Sequence, residues 1–361
     1  MSIGSIALGI GAVGLAASPV MAAGPQATVA VISGESPDAQ KADQFASQGV
    51  QAFTSGDHRA AFDYWQQAML LYRVVGDRAG EGRMLENLSV IHRLSNRPAE
   101  ALIMVQQALS LYEEMGNTND QPSLFLNLGS AYRLVGQSAE AIAAYHQGLS
   151  IYQRLADETG ERIMLSLLAK VHSEQGEYAQ SIPFQAQVLT IARRTGNRQI
   201  EAEALAELGY AYVMSDRPAQ AVGYLSAALP LMRSLNNQAQ EVAVLNNLGR
   251  AAALNEDYDQ ALSAYQQALE IFRAMNRPVQ EAHLLVNIGQ AQVGAGRVED
   301  AIASFQAAVD LSETLRKQQL LSNTDESTTL PPRLEAAYRN LATLLQQQNR
   351  HVEARRILSL I

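Results

Sequence analysis

Residues 245–269, LNNLGRAAALNEDYDQALSAYQQAL, decide the fold. Their apolar spacing describes two amphipathic helices joined by a short turn. Gly249 is a small residue inside the first helix, and Ala261, Tyr265 and Ala268 follow it at offsets of 12, 16 and 19. Moving back 40 residues finds Gly209, Ala221, Leu225 and Ala228; moving forward 40 finds Gly289, Ala301, Phe305 and Ala308. A small–small–large–small frame that recurs without a slip is the mark of a tandem repeat.

The frame extends in both directions. The small residue of the first helix falls at Gly49, Ser89, Gly129, Ala169, Gly209, Gly249 and Gly289, in steps of 40. Large apolar residues stand four and one positions earlier, as in Leu85 and Leu88, Phe125 and Leu128, or Leu245 and Leu248, and so build one helical face. Seven positions after the small residue comes a helix-closing place, held by Gly56, Asn96, Gly136, Gly176, Asp216, Glu256 and Gly296. Pro98 and Pro218 suit the first turn of a second helix, where no N–H is needed. That helix is expected to end at Gly76-Asp77, Gly116-Asn117, Gly196-Asn197 and Asn236-Asn237, the second residue capping the next helix. The fourth unit is eroded: Ser181, Gln185 and Val188 stand where Ala, an aromatic and Ala are expected, and Pro183 lies early in its second helix.

After the seventh unit the register breaks. The next small residue is Ala342, 53 positions on, so 13 extra residues lie around 317–332, KQQLLSNTDESTTLPP. A lengthened helix and a polar loop are expected there, then a last unit over 333–361 without a polar capping helix, whose end face invites self-association. At the other end, residues 1–23 are apolar and lack acids, which predicts a signal peptide cleaved before Ala23 and hence export to the periplasm or beyond, with a membrane anchor as the alternative. The formal GxGxxG at Gly9–Gly14 lies within that apolar run and lacks the flanking strand, helix and acid of a dinucleotide site. Residues 24–42 read as a flexible linker, with seven units over 43–316.

The chain has 361 residues, a formal net charge of −9 and no cysteine. The charge argues against nucleic acid as a partner. The missing cysteine removes disulfides, thiolate metal sites and thiol nucleophiles. Six histidines form no HExxH pair. No nucleophile–base set, phosphate loop or metal cluster is assembled, so no catalytic residue, metal or cofactor is expected. Trp65, Tyr64, Tyr145 and Tyr265 read as core, and His92 and His172 as packed against the next helix.

The frame Leu-x-x-Leu-Gly-x-x-Tyr…Gly…Ala-x-x-x-Tyr-x-x-Ala, nearly whole in Phe125–Gly148, resembles the tetratricopeptide repeat from Asp43 to Ile361. The period of 40 exceeds the commonest spacing of about 34. With the Gly-Asp-Arg junction at 76–78 it resembles the long repeats of LGN/Pins adaptors and kinesin light chains. It resembles still more the arrays that precede CHAT protease domains in bacteria, cyanobacteria especially. The resemblance implies an all-α, right-handed α-solenoid of about eight hairpins whose first helices line a concave groove.

Two positions before the small residue stand Asn87, Asn127, Asn247, Asn287 and Asn340; the other units carry Ser47, Leu167 and Glu207 there. Some families of this kind hold an extended peptide with such asparagines, because an amide pairs with any peptide backbone. First helices about 8–10 Å apart would meet every third residue of a guest that rises about 3.3 Å per residue. A helix-bridging or solvated role is the competing reading. Arg250 lies beside Asn247, and Arg93 and Arg133 lie nearer the groove edge, where each can meet a guest carboxylate or simply face solvent. The expected function is a non-enzymatic scaffold for an extended peptide or a partner helix. The alternatives are a regulatory partner of a separate CHAT-type protease and a self-associating assembly protein.

Overall fold

The computed structural model describes residues 36–116, 121–321 and 332–361. The stretch expected to be a signal or anchor, and most of the polar loop after residue 321, lie outside the described residues. No helix among the described residues is long and apolar enough to cross a membrane. The all-α expectation holds: every described element is a helix, and the helices follow one another as hairpins.

The chain divides into two compact units at Gln187/Val188, inside the eroded fourth hairpin. The first unit contains α1 (Pro37–Thr54), α2 (His58–Val75), α3 (Arg78–Leu94), α4 (Pro98–Glu114), α5 (Pro122–Leu134), α6 (Ser138–Arg154), α7 (Glu158–Glu174) and the start of α8 (Tyr178–Arg194). The second contains α9 (Arg198–Met214), α10 (Pro218–Ser234), α11 (Gln238–Leu254), α12 (Tyr258–Ala274), α13 (Pro278–Gly294), α14 (Val298–Leu321), α15 (Pro332–Gln347) and α16 (His351–Leu358). From α1 to α7, and again from α9 to α16, each helix packs on the next, and first helices also touch the first helix of the following hairpin: α3 on α5 and α5 on α7, then α9 on α11, α11 on α13 and α13 on α15. The first helices therefore make one layer in each unit.

The small-to-large pairing explains the frame. A Cβ on Gly129 would lie 2.5 Å from the Tyr145 ring, and one on Gly249 2.5 Å from the Tyr265 ring. These glycines let two helices close over an aromatic wedge. Where Val105 or Gln185 replaces the aromatic, the facing residue carries a side chain, Ser89 or Ala169. All seven expected closing places are left-handed; Glu256 has φ 60°, and in the first unit Ala156 closes α6 at φ 52°. Neither residue has the Gly or Asn ease in that region. Asp77, Asn197 and Asn237 each accept the expected capping bond, from Gly80, Ile200 and Gln240. An unforeseen bracket joins successive hairpins at four junctions among the described residues: Arg73–Glu81 at 2.6 Å, Arg193–Glu201 at 2.8 Å, Arg233–Glu241 at 2.7 Å and Arg273–Glu281 at 2.7 Å.

Three features depart from the sequence reading. The first helix starts at Pro37, within the stretch 24–42 read as linker, because Ser36 caps Ala39 and Pro37 opens the helix. The eroded hairpin carries an aromatic at a second place, one residue before the wedge: Phe184 stacks on His172 at 5.6 Å, 6° from parallel, as Tyr224 stacks on Tyr212 one repeat on. His92 packs edge-on against Phe62 at 5.5 Å, on the preceding helix. The lengthened helix is present as α14, which runs unbroken to Leu321.

Candidate peptide-binding surface

In the first unit α3 and α5 carry the candidate residues, and α7 packs on α5. Glu86, on α3, is 6% exposed. Its carboxylate accepts from the Tyr112 hydroxyl at 3.0 Å and the Ser123 hydroxyl at 3.0 Å, and Asn127 of α5 donates to it as well. Burial pushes its carboxyl above the ordinary value of 4.5, while those donors and the charge of Arg83 pull the other way. Asn127 is 9% exposed, and its Oδ1 has no partner. Asn87 is half-buried on the same layer.

Two arginines lie together on this layer. Arg93, half-buried on α3, feels the like charge of Arg133 on α5, and burial is the larger cause that holds its guanidinium below its ordinary value. The buried Tyr145 hydroxyl, which donates to Ser130 at 3.2 Å, interacts with both. Arg133 pairs with Glu174 of α7 at 2.8 Å, yet its Nε is buried without a partner. Arg93 has no ion pair among the described residues. A partly desolvated cation beside a second cation is an unfavourable arrangement that an anion would relieve.

In the second unit the layer is α9, α11, α13 and α15. Asn247 (α11), Asn287 (α13) and Asn340 (α15) are half-buried. Asn287 Nδ2 donates to Oδ1 of Asn246, the residue before Asn247, at 3.2 Å. Arg250 is half-buried too, with the Met214 sulfur 3.5 Å from its Nη1. The structure thus pairs Arg93 with Arg133 and brings Asn287 to the neighbour of Asn247. The asparagines fall into two runs, one per unit, separated by Leu167 and Glu207. Sequence reasoning missed Glu86, Asn246 and Glu174. The signal for the first two was a polar residue directly preceding an asparagine of the series, as in Glu86-Asn87 and Asn246-Asn247.

The tetratricopeptide repeat profile matches residues 47–114, 120–194, 160–234 and 240–314. The chain belongs to the tetratricopeptide repeat family. No curated protein sequence matches this tetratricopeptide repeat chain. Its fold is similar to those of many solved structures, three of which follow. BtubC (BKLC) from P. vanneervenii is 21% identical, with a TM-score of 0.51 over 66% of this chain and 96% of that one. Apo RapI is 11% identical, with a TM-score of 0.54 over 76% of this chain and 99% of that one. The apo quorum sensor NprR from B. thuringiensis is 15% identical, with a TM-score of 0.54 over 88% of this chain and 86% of that one. At these identities the likeness speaks for the fold.

Proposed function

We propose that this chain is a non-catalytic interaction scaffold that holds an extended peptide along its first-helix layers, with an acidic group of the guest at Arg93. One observation carries the reading: Arg93 is half-buried beside Arg133 and has no anion of its own among the described residues. Exposed Leu94 and Leu134 follow the two arginines along their helices and offer apolar contact next to the charges. A guest with an acidic residue flanked by apolar ones fits both. The asparagines supply backbone pairing that any guest sequence satisfies. That one similar fold belongs to a quorum sensor is compatible with a receptor role.

A random dodecapeptide display library panned on the full chain tests this. Enrichment of peptides with an acidic residue is expected, with affinity about tenfold lower for Arg93→Ala, the loss of one charge-assisted contact. Enrichment no better than on an albumin-coated surface would sink the reading.

A further inference from the structure

Leu94, Leu134, Met214 and Leu254 stand five residues after the small residue of their first helices, and Thr54, Gly294 and Gln347 hold that place in three other hairpins. On α7 the place is held by Glu174, the only charged residue of the series. Its side chain is 43% exposed, yet it reaches back to α5, where Arg133 Nη1 donates to Oε1 at 2.8 Å and to Oε2 at 3.2 Å. Both carboxylate oxygens thus lean on one nitrogen, while Arg133 Nε stays buried without a partner. A fork-to-fork pair engages two nitrogens and holds more firmly. Arg93 occupies on α3 the place that Arg133 occupies on α5, and it has no ion pair among the described residues. Two guanidiniums on touching helices therefore share one carboxylate, and that carboxylate is partly in water.

We infer that Glu174 is a built-in competitor that sets the charge of the guest: the arginine pair takes a single carboxylate and disfavours a doubly charged group such as a phosphorylated side chain. Two positive charges and one negative leave one positive charge, which one carboxylate cancels. A phosphorylated serine brings a charge of about −1.5 to −2 near neutral pH. Beside Glu174 it would leave an excess of negative charge in a partly dehydrated place, which is unfavourable. Without Glu174 the pair carries both positive charges, and a phosphate matches them. A carboxylate that merely props Arg133 in position has the opposite consequence, because its removal would then weaken every acidic guest. A leucine, as in the neighbouring hairpins, would leave the two cations facing each other with no anion at all. Glu174 thus lowers their repulsion and narrows what they accept.

This inference rests on the peptide-holding reading. The test uses the full chain and an acidic dodecapeptide enriched from the random library, remade with phosphoserine in place of the acidic residue whose exchange for alanine costs most. Fluorescence anisotropy should find the carboxylate peptide bound more tightly than the phosphoserine one. Glu174→Gln should tighten the carboxylate peptide about threefold and the phosphoserine peptide about tenfold, which closes or reverses the gap. Glu174→Leu should act in the same direction. Glu158→Gln removes an equal charge at the other end of α7, about 24 Å away along the helix, and should change neither affinity at physiological salt. Three results overturn the inference and leave the peptide-holding reading standing: carboxylate binding that is unchanged or weaker in both Glu174 variants, a phosphoserine peptide that gains no more than the carboxylate one, or an equal gain from Glu158→Gln. Failure of every peptide to bind removes both.

Discussion

Asn127 and Asn287 hold the same place in their repeats, yet their surroundings differ. Asn127 is tethered by a buried carboxylate that also gathers Tyr112 and Ser123, with a pair of arginines on the same layer. Asn287 is tethered by one neutral amide at 3.2 Å on a half-buried surface. The contrast shows that one repeat frame supports two electrostatic solutions. A buried acid with three donors is a node on which the packing of α3, α4 and α5 depends. An amide–amide bond can be lost with little consequence for the fold.

Substitution separates the two most sharply. Glu86→Ala leaves the Tyr112, Ser123 and Asn127 donors without an acceptor and should lower stability by about 3 kcal/mol, whereas Asn246→Ala should cost about 1 kcal/mol or less. Thermal melts of the two variants check this, and equal losses would erase the contrast. Packing should show no such difference. Gly129→Ala and Gly249→Ala each drive a Cβ to 2.5 Å from a tyrosine ring, so both should lose about 1–3 kcal/mol by urea unfolding.

Acidity probes the same contrast. The Glu86 carboxyl is raised above 4.5 in the folded chain, so its stabilising contribution is present below that value and is lost as pH rises through the folded value. Amide exchange in α3–α5 should quicken as pH is raised across that window, after correction for intrinsic rates, and Glu86→Gln should remove the trend. The α11–α13 layer, tethered by a neutral amide, should lack this contribution. The smallest effect is again one the units share. Ala156→Gly and Glu256→Gly relieve left-handed helix ends and should each add about 1 kcal/mol to stability, read from unfolding midpoints.

Much of the fold was legible because repetition turns a weak local signal into a strong one. Gly249 alone predicts little; seven small residues in steps of 40 with large partners 16 positions on predict a stack of hairpins. The caps and left-handed ends were legible for the same reason. Misreadings arose where the frame lapses. Ser36-Pro37 opens a helix outside the periodic stretch, and Phe184 holds a second aromatic place, shared with Tyr224, that the frame did not include. The candidate surface was legible in part. Asn87, Asn127, Asn247, Asn287 and Asn340 were picked out by spacing, but spacing cannot say which way an amide points.

By itself the sequence determined the hairpin repeat, its 40-residue period and the face on which the asparagines stand, because helical periodicity and helix-ending chemistry are local properties written in consecutive residues. Only the tertiary structure decided that Glu86 is buried, that Arg93 and Arg133 share a layer where, among the described residues, only Arg133 is paired with an acid, and that two of the asparagines are held by their neighbours. Those facts depend on desolvation and on contacts between residues about 40 apart, and both exist only once successive hairpins have packed.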